Sequence, residues 1–282
     1  DSYVVRPLFF PGGDIGSLAV NGTVNDLAMC GARPRYLSVG FILEEGLAID
    51  CLEEIVLSME KAAMEAGVVI VAGDTKVVEK GKADGVFITT TGFGIIPPKI
   101  RIGGELACPG DVVLVSGTMG DHGIAVLSAR GELGLETSVQ SDVAPLNKLI
   151  ADLLAAAPDT HVLRDPTRGG LATTLNEIAR QSRVCIRLVE ETIPVNPAVR
   201  AACELLGFDP LYVANEGKFI AIVPEDQADN ALKVLRNDPL GKFAMRIGSV
   251  ENQPAGKVLL QTPIGGSRIL DMLSGEMLPR IC

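Results

Sequence analysis

Segments with helical and strand periodicity alternate along most of the chain, and this alternation restricts its fold more than any other feature. Apolar residues recur every three or four positions over residues 16–30 and 49–66, and a glycine follows each segment. Short apolar runs at 36–43, 68–72 and 86–96 are typical of strands. Because two of these strands follow one another without a helix between them, the pattern predicts an α+β or mixed α/β fold rather than a strictly doubly wound sheet.

The second part of the chain continues this mixture after a candidate joint at Pro97-Pro98. We therefore predict a first domain over residues 1–98, a second domain over 99–272, and a mobile C-terminal tail over 273–282. Helices are predicted at 122–130, 145–156, 171–181, 197–206 and 226–237, and strands at 112–116, 185–188, 219–223, 243–250 and 258–261.

Charge and cysteine content narrow the function classes. The net charge of the 282-residue chain is -10 and there is no block of lysine or arginine, which argues against nucleic-acid binding. The six cysteines form no Cys-x-x-Cys pair, so a zinc ribbon or thioredoxin-like motif is not supported. Reduced core cysteines suit a cytoplasmic protein. No apolar run reaches the roughly 18 residues that a membrane span requires.

Four aspartates beside predicted turns or strand ends are candidates for holding a metal ion. Magnesium prefers oxygen ligands, and proteins hold it with one or two carboxylates together with substrate phosphates. Spacing alone leaves a structural interpretation equally open, with Asp26 on a solvated helix face and Asp74 and Asp165 as turn residues or caps. The four are Asp1, Asp26, Asp74 and Asp165.

A glycine-containing loop between a predicted strand and a predicted helix is a candidate anion site. The loop, residues 115–123, contains Gly117 and Asp121, and its backbone N–H groups could face a phosphate. It lacks the Gly-Lys-Ser/Thr ending of a Walker A loop, so an ordinary strand-to-helix turn is at least as well supported. His122, in the same loop, is expected to cap the helix or to pack.

Glu216 is a candidate general base. It lies in Asn215-Glu216-Gly217-Lys218, just before an apolar strand, where it could remove a proton beside a phosphate site. The alternative is a turn in which Glu216 and Lys218 pair in water.

The chain ends in a cysteine, Cys282. A thiol at the end of a mobile tail can carry a small group from one site to another, although position alone favours an ordinary frayed end.

Together these segments resemble the HypE family of hydrogenase maturation proteins, within the superfamily of PurM-like, AIR synthase-related ATP-binding enzymes. The resemblance covers essentially the whole chain. Residues 215–218 and the tail 279–282 distinguish this family from its purine, thiamine and selenophosphate relatives, and the terminal cysteine is the most specific of these features. The matching segments are residues 1–5, 7–13, 25–26, 40–46, 73–78, 165–170, 215–218 and 279–282.

The resemblance implies a PurM-like two-domain fold, in which the sheet of the N-terminal domain pairs across a homodimer and the C-terminal α/β domain packs helices on its own sheet. ATP would lie in the cleft, with magnesium held by Asp1, Asp26, Asp74 and Asp165. The implied nucleotide-binding residues are Asp1, Asn25, Asp26, Asp74, Thr75, Gly117, Asp121, Asp165, Thr167 and Gly169.

The resemblance also implies a reaction. HypF would place a carbamoyl group on the Cys282 sulfur, ATP would phosphorylate the amide oxygen, and loss of phosphate would leave a thiocyanate. The cyano group would pass to the HypC–HypD complex as an iron ligand for [NiFe]-hydrogenase. Glu216 would act as the base, and Lys76 would stabilise the phosphate or adjust the pKa of that base.

Two alternatives stay open, a small-molecule kinase or synthetase of the same fold and a non-catalytic carrier of a carbamoyl or cyano group. Members of the family usually have a further N-terminal segment with a glycine-rich, His-Gly-Ser-Gly-Gly-like stretch. It is absent here, so we expect a chain truncated at its N-terminus, whose ATP binding and turnover need separate testing.

Overall fold

The computed structural model describes residues 1–131, 134, 137–273 and 275. Cys282 and most of the predicted tail, residues 273–282, lie outside the described residues. Within the described part, no helix combines the length and the apolar character that crossing a membrane requires.

The first part of the chain forms a four-stranded sheet with two helices. Strand order is β1-β6-β4-β5, with β4 and β5 parallel and the other pairs antiparallel, while β2 and β3 form a separate hairpin. The elements are β1 (Ser2–Tyr3), β2 (Phe9–Phe10), β3 (Gly13–Asp14), α1 (Ile15–Met29), β4 (Arg33–Glu44), α2 (Ile49–Ala66), β5 (Val69–Val78) and β6 (Val86–Ile95).

Helix α1 joins the two parts of the molecule. It begins at a reciprocal cap, in which the Asp14 carboxylate accepts from the Ser17 N–H (3.0 Å) and the Ser17 hydroxyl oxygen accepts from the Asp14 N–H (3.0 Å). Its Leu18 packs in a core shared with α2 and the first sheet. Its last turn, at Ala28 and Met29, packs instead in a core formed mainly by residues from the second part of the chain.

The second part forms a seven-stranded sheet in the order β13-β12-β9-β11-β7-β10-β8. Of its strand pairs, β9–β12 is parallel and the others are antiparallel. The elements are β7 (Asp111–Val115), α3 (Asp121–Ala129), α4 (Asn147–Ala156), β8 (Val162–Arg164), α5 (Gly170–Ser182), β9 (Cys185–Val189), α6 (Pro197–Leu206), β10 (Ile220–Pro224), α7 (Glu225–Asn237), β11 (Met245–Glu251), β12 (Lys257–Gln261) and β13 (Ser267–Ile269), with short 3-10 turns at Glu190–Thr192, Pro210–Tyr212 and Pro239–Gly241.

Helices cover both faces of this second sheet. Alternate residues of the interior strand β7 enter different cores: Val113 and Val115 pack with α5, and Val112 and Leu114 pack with α4 and α7. All five β7 residues are buried. A strand buried on both faces reads as a continuous apolar run, which is how this segment appears in the sequence.

The predicted α+β class is confirmed. Helices alternate with strands along the chain, some strands follow one another directly, and both large sheets contain parallel and antiparallel pairs. The division into domains at residue 98 stays a prediction. Strands β8 and β13, each three residues long, were not predicted. Segments this short are defined by pairing with distant neighbours rather than by a local pattern.

Candidate active site

A cleft of about 810 Å³ opens between the two parts of the chain. Acidic side chains from distant segments line it: Asp1 beside β1, Asp26 on α1, Asp165 after β8, and Glu216 before β10. Thr167 lines the same cleft. The structure therefore brings together three of the four predicted metal-binding acids and the predicted base.

The wall formed by β1 and α1 depends on close packing between Tyr3 and Gly22. A Cβ atom at Gly22 would lie 2.3 Å from the Tyr3 hydroxyl oxygen, so any other residue would displace the ring. The Tyr3 hydroxyl is also 3.2 Å from the Thr23 hydroxyl oxygen. Burial raises the pKa of Tyr3 far above its usual range, so this phenol stays protonated and positions the wall.

The opposite wall is the segment from Asp165 to the start of α5. The carbonyl oxygen of Pro166 accepts from both the backbone N–H (3.1 Å) and the side-chain amide (2.9 Å) of Asn215. Gly169, with φ of +72°, precedes the first residue of α5. These contacts fix Asp165 and Glu216 relative to each other, because Glu216 is the next residue after Asn215.

Glu216 is buried, with 5% of its surface exposed. Its backbone N–H donates to Asp142 Oδ1 (3.0 Å), and its carbonyl oxygen accepts from the Asn25 amide (3.1 Å). Desolvation by burial raises the pKa of Glu216 well above its usual range, and the negative charges of Asp165 and Asp142 raise it further. A carboxyl group in this setting holds its proton more tightly than an exposed carboxyl group does, and it can act as a general acid or base.

Asp26 and Asp165, which line the same cleft, also have raised pKa values. Desolvation, and then the charge of Asp165, raise the pKa of Asp26 to about 6, although the residue is open to solvent in the cleft. Burial raises the pKa of Asp165 as well. Several carboxylates facing one cleft repel one another unless a cation lies between them, so the site is suited to a divalent metal ion.

Two arginines line the same cleft, and neither was among the predicted site residues. Arg164 is paired with Glu177 at 2.7 Å. Arg168 is exposed and forms no ion pair or hydrogen bond within the part of the chain that the structure describes. Its place between Asp165 and Gly169 was the available signal, since an arginine on a loop beside candidate phosphate ligands can itself bind phosphate.

Asp74, Thr75 and Lys76 do not line this cleft within one copy of the chain. They lie on β5, where they are exposed, and pair in register with Gly40, Phe41 and Ile42 of β4. Strands β1 and β5 occupy opposite edges of the first sheet, which puts them about 14 Å apart at ordinary strand spacing. The expectation that Asp74 converges with Asp1 and Asp26 is therefore not met inside a single copy, because strand order cannot be read from local spacing.

Asn25 also differs from its predicted role. It is buried, and its side-chain amide donates to the carbonyl oxygens of Ala144 (3.0 Å) and Glu216 (3.1 Å) while accepting from the Leu146 N–H (2.8 Å). Both ends of the amide are thus used to bind the backbone of the second part of the chain, and Asn25 holds the cleft walls together rather than lining them.

The loop after β7 packs against the segment that carries Glu216. The Gly120 N–H donates to Asn215 Oδ1 (2.7 Å), and the stem of Lys218 lies against Gly117. Asp121 is buried, accepts from the Thr118 hydroxyl, and has a pKa raised by burial. Neither Gly117 nor Asp121 lines the cleft, so this geometry favours the strand-to-helix turn that the sequence had left open.

The structure also distinguishes between the alternatives that the sequence left open for Glu216 and for His122. Glu216 and Lys218 do not form a solvent-exposed pair, because Lys218 lies 3.4 Å from Asp142 Oδ2 and Glu216 is buried. His122 is fully buried, with Nδ1 2.8 Å from the Ser141 hydroxyl oxygen and its ring edge-on to Phe10. It packs, as predicted. Cys282 lies outside the described residues.

Two protein-family models match this chain and define its class. The N-terminal domain model of AIR synthase related proteins matches residues 1–96, and the C-terminal domain model matches residues 108–261. The chain is thus an AIR synthase related protein with the acidic cleft between its two matched regions.

Individual relatives are much more similar. The carbamoyl dehydratase HypE of Azotobacter vinelandii is 60% identical over 282 residues, covering 100% of this chain and 83% of the relative. A solved structure of the hydrogenase maturation protein HypE in complex with ATP has a TM-score of 0.96 and 57% identity, covering 100% of this chain and 85% of that one. A solved HypE–HypF complex has a TM-score of 0.94 and 52% identity, covering 97% and 89%. The chain belongs to the HypE family, and the resemblance predicted from its sequence is confirmed.

Proposed function

We propose that this chain is an ATP-dependent carbamoyl dehydratase that converts a thiocarboxamide on Cys282 into a thiocyanate, the source of the cyano ligand in [NiFe]-hydrogenase maturation. The observation that carries the proposal is Glu216, a buried carboxyl with a raised pKa on the wall of an acidic cleft. The family relationship supports it, since a relative with 60% identity is a carbamoyl dehydratase.

We propose the cleft as the ATP site, consistent with the ATP complex of a 57% identical HypE. Asp1, Asp26 and Asp165 would hold magnesium, because they supply the hard oxygen donors that this ion prefers. They need not converge on one point, since Mg²⁺ keeps several waters and shares its remaining positions with phosphates. Bound there, the ion would offset the charge of the phosphates. Thr167 and Arg168 are suited to contact the phosphate oxygens.

The dehydration needs a good leaving group and a base. Transfer of the γ-phosphoryl group to the amide oxygen converts a poor leaving group, oxide, into phosphate. The carbon–oxygen bond then breaks while the nitrogen loses its two protons, giving S–C≡N, ADP and phosphate. Glu216 would remove a proton from nitrogen. A positive charge in the cleft favours its ionised form, and its raised pKa makes it a stronger base than an ordinary carboxylate.

A homodimer explains the exposed apolar edge of the first sheet. Strand β5 has exposed apolar residues along its length, among them Val69 (57%), Val71 (58%) and Val77 (61%). An apolar groove of about 350 Å³ runs beside it, between α2 and β4–β5. An uncovered apolar edge strand associates readily with another strand. A second copy of the chain would cover this surface. We propose that Asp74, Thr75 and Lys76 of each copy then reach the acidic cleft of the other copy.

HypF is the proposed carbamoyl donor, by analogy with the HypE–HypF complex of a 52% identical relative. We propose the HypC–HypD complex as the cyano acceptor and the cytoplasm as the location. The free thiols of the five described cysteines are consistent with a reducing compartment.

Mass spectrometry of the C-terminal peptide tests the proposal. Incubation with HypF and a carbamoyl donor should add about 43 Da to Cys282, and addition of ATP and magnesium should then remove about 18 Da. The Cys282→Ala variant should show neither change while binding ATP normally. A carbamoylated peptide whose mass does not fall with ATP and magnesium would leave only the carrier alternative.

A further inference from the structure

Three side chains able to bind a transition metal lie together at the start of strands β7 and β8. They are Cys108, Asp111 and His161, and one ligand atom from each lies within 4.8 Å of the other two. Among the residues that the structure describes, this is the one such group of three. It plays no part in the proposed dehydration.

The group is separate from the acidic cleft. His161 immediately precedes β8 and Asp165 immediately follows it, so the two residues lie at opposite ends of the same strand, about 13 Å apart at ordinary strand rise. Asp111 likewise begins β7, while the loop that packs against Glu216 follows that strand. An ion bound by Cys108, Asp111 and His161 would not be the magnesium of the ATP site.

A tight turn fixes two of the three ligands. In Cys108-Pro109-Gly110-Asp111 the Asp111 N–H donates to the Cys108 carbonyl oxygen (3.1 Å), and Gly110 has φ of +98°. Proline followed by a residue of positive φ is the pattern of a type II turn. The Cys108 N–H also donates to Asp111 Oδ2 (2.7 Å), which holds the carboxylate next to the turn.

Backbone pairing fixes the third ligand. The His161 N–H donates to the Ile222 carbonyl oxygen (3.0 Å), and the His161 carbonyl oxygen accepts from the Gly103 N–H (3.1 Å). Its Nδ1 lies 2.8 Å from Asp111 Oδ2. Two ligands of one tetrahedral zinc ion are separated by roughly 3.3 Å for bonds of about 2.0 Å, so a small rotation of the imidazole ring would admit an ion between these atoms.

We propose that Cys108, Asp111 and His161 bind a divalent transition-metal ion of the zinc type, with water in the remaining position. Thiolate and imidazole ligands select Zn²⁺, Co²⁺ or Ni²⁺ and disfavour Mg²⁺. Cys108 is exposed, which gives the ion an entry path. Binding replaces the thiol proton with a metal–sulfur bond and releases that proton to solvent, while His161 takes the tautomer protonated at Nε2.

Cobalt titration of the full-length, metal-free, reduced protein tests the site. One equivalent of Co²⁺ should produce a thiolate-to-cobalt charge-transfer band and the visible bands of tetrahedral Co²⁺, which one equivalent of Zn²⁺ should abolish. Excess Mg²⁺ with ATP should leave the bands unchanged, because it binds at the other end of β8. Cys108→Ser should lose the charge-transfer band, and His161→Gln should weaken binding by at least about tenfold.

Matched variants distinguish this site from the other thiols. Cys30→Ser, Cys51→Ser and Cys282→Ala should all retain the bands and the affinity. Zn²⁺ should raise the melting temperature of the unmodified chain but not of Cys108→Ser, whose metal-free melting temperature should equal that of the parent. Absence of the charge-transfer band, its persistence in Cys108→Ser, or its loss in Cys282→Ala would each overturn the proposal.

Discussion

The two sheets of this protein differ in how completely one copy of the chain covers them. Helices cover the seven-stranded sheet on both faces, and its interior strand β7 is buried along its whole length. The four-stranded sheet instead ends in β5, whose first nine residues are all exposed and several of which are apolar. The second sheet completes its core with the residues of one copy, whereas the first sheet leaves a strand edge that one copy does not cover.

This difference extends to the chemistry. Glu216 belongs to the second part of the chain and is held by contacts within one copy, through Asp142 and Asn25. Lys76 lies on the uncovered edge, on the opposite side of the first sheet from the cleft. A substitution at Glu216 should therefore affect the cleft of its own copy, and a substitution at Lys76 should affect the cleft of the second copy in a dimer.

Glu216→Gln should have the largest effect. It removes the proposed base while keeping the size and the buried position of the side chain, so thiocyanate formation should fall by about 10²- to 10⁴-fold. Mass spectrometry should show the tail accumulating as thiocarboxamide with ATP binding preserved. Glu191→Gln, the same change at an exposed glutamate, is the matched control and should keep the parental rate. A normal thiocyanate yield in Glu216→Gln would remove Glu216 from the role of base.

Leu114→Ala should have the largest effect on stability. Leu114 is fully buried in the core between the second sheet and its helices, and such a truncation costs about 2–5 kcal/mol of unfolding free energy. Val71→Ala on the exposed edge should change the stability of a dilute, monomeric sample by less than about 0.5 kcal/mol. Urea unfolding at low protein concentration measures both. Equal losses would mean that the two sheets are equally self-contained.

Lys76→Ala separates action within one copy from action across a dimer. Alone, it should lower thiocyanate formation, as Glu216→Gln does. If Lys76 serves the cleft of the second copy, an equal mixture of the two variants forms mixed dimers in which one of the two sites is intact, and about a quarter of the parental activity returns. Mixing after subunit exchange and measuring thiocyanate yield tests this. No recovery in verified mixed dimers would place Lys76 and Glu216 in the same copy's site.

Local patterns predicted elements well and their assembly poorly. Helix α2 has the bounds that the sequence predicted, 49–66, because apolar spacing and a terminal glycine are both local signals. The position of Asp74 at the far edge of the sheet depends on strand order, which no local signal encodes. The burial of Glu216 depends in part on Asp142, 74 residues away, which pairs with Lys218 and accepts from the Glu216 N–H. This burial is what favours Glu216 as a general base over Glu216 as an exposed turn residue, and it could not be predicted from the local sequence.

The smallest expected effect is a pH dependence centred on Asp26. Its pKa is raised to about 6 by desolvation and by Asp165, so below pH 6 a proton occupies the carboxylate that magnesium would bind. Affinity for Mg–ATP should therefore fall as pH decreases through 6, approaching tenfold per pH unit. The stability of the ligand-free protein depends on pH in the opposite direction. Because the folded state binds this proton more tightly than the unfolded chain does, the contribution of Asp26 to stability is lost as pH rises from about 4 to 6.

Calorimetric titration with Mg–ATP between pH 5 and 8 measures this dependence. Asp165 and Glu216 face the same cleft and also have raised pKa values, and the nucleotide itself titrates, so the comparison must be made against Asp26→Asn. That variant should bind Mg–ATP more weakly at pH 8 and lose the part of the pH dependence that Asp26 contributes. If Asp26→Asn leaves the whole profile unchanged, Asp26 is no ligand, and the magnesium site would have to be built from Asp1 and Asp165 together with acids from the exposed edge of a second copy.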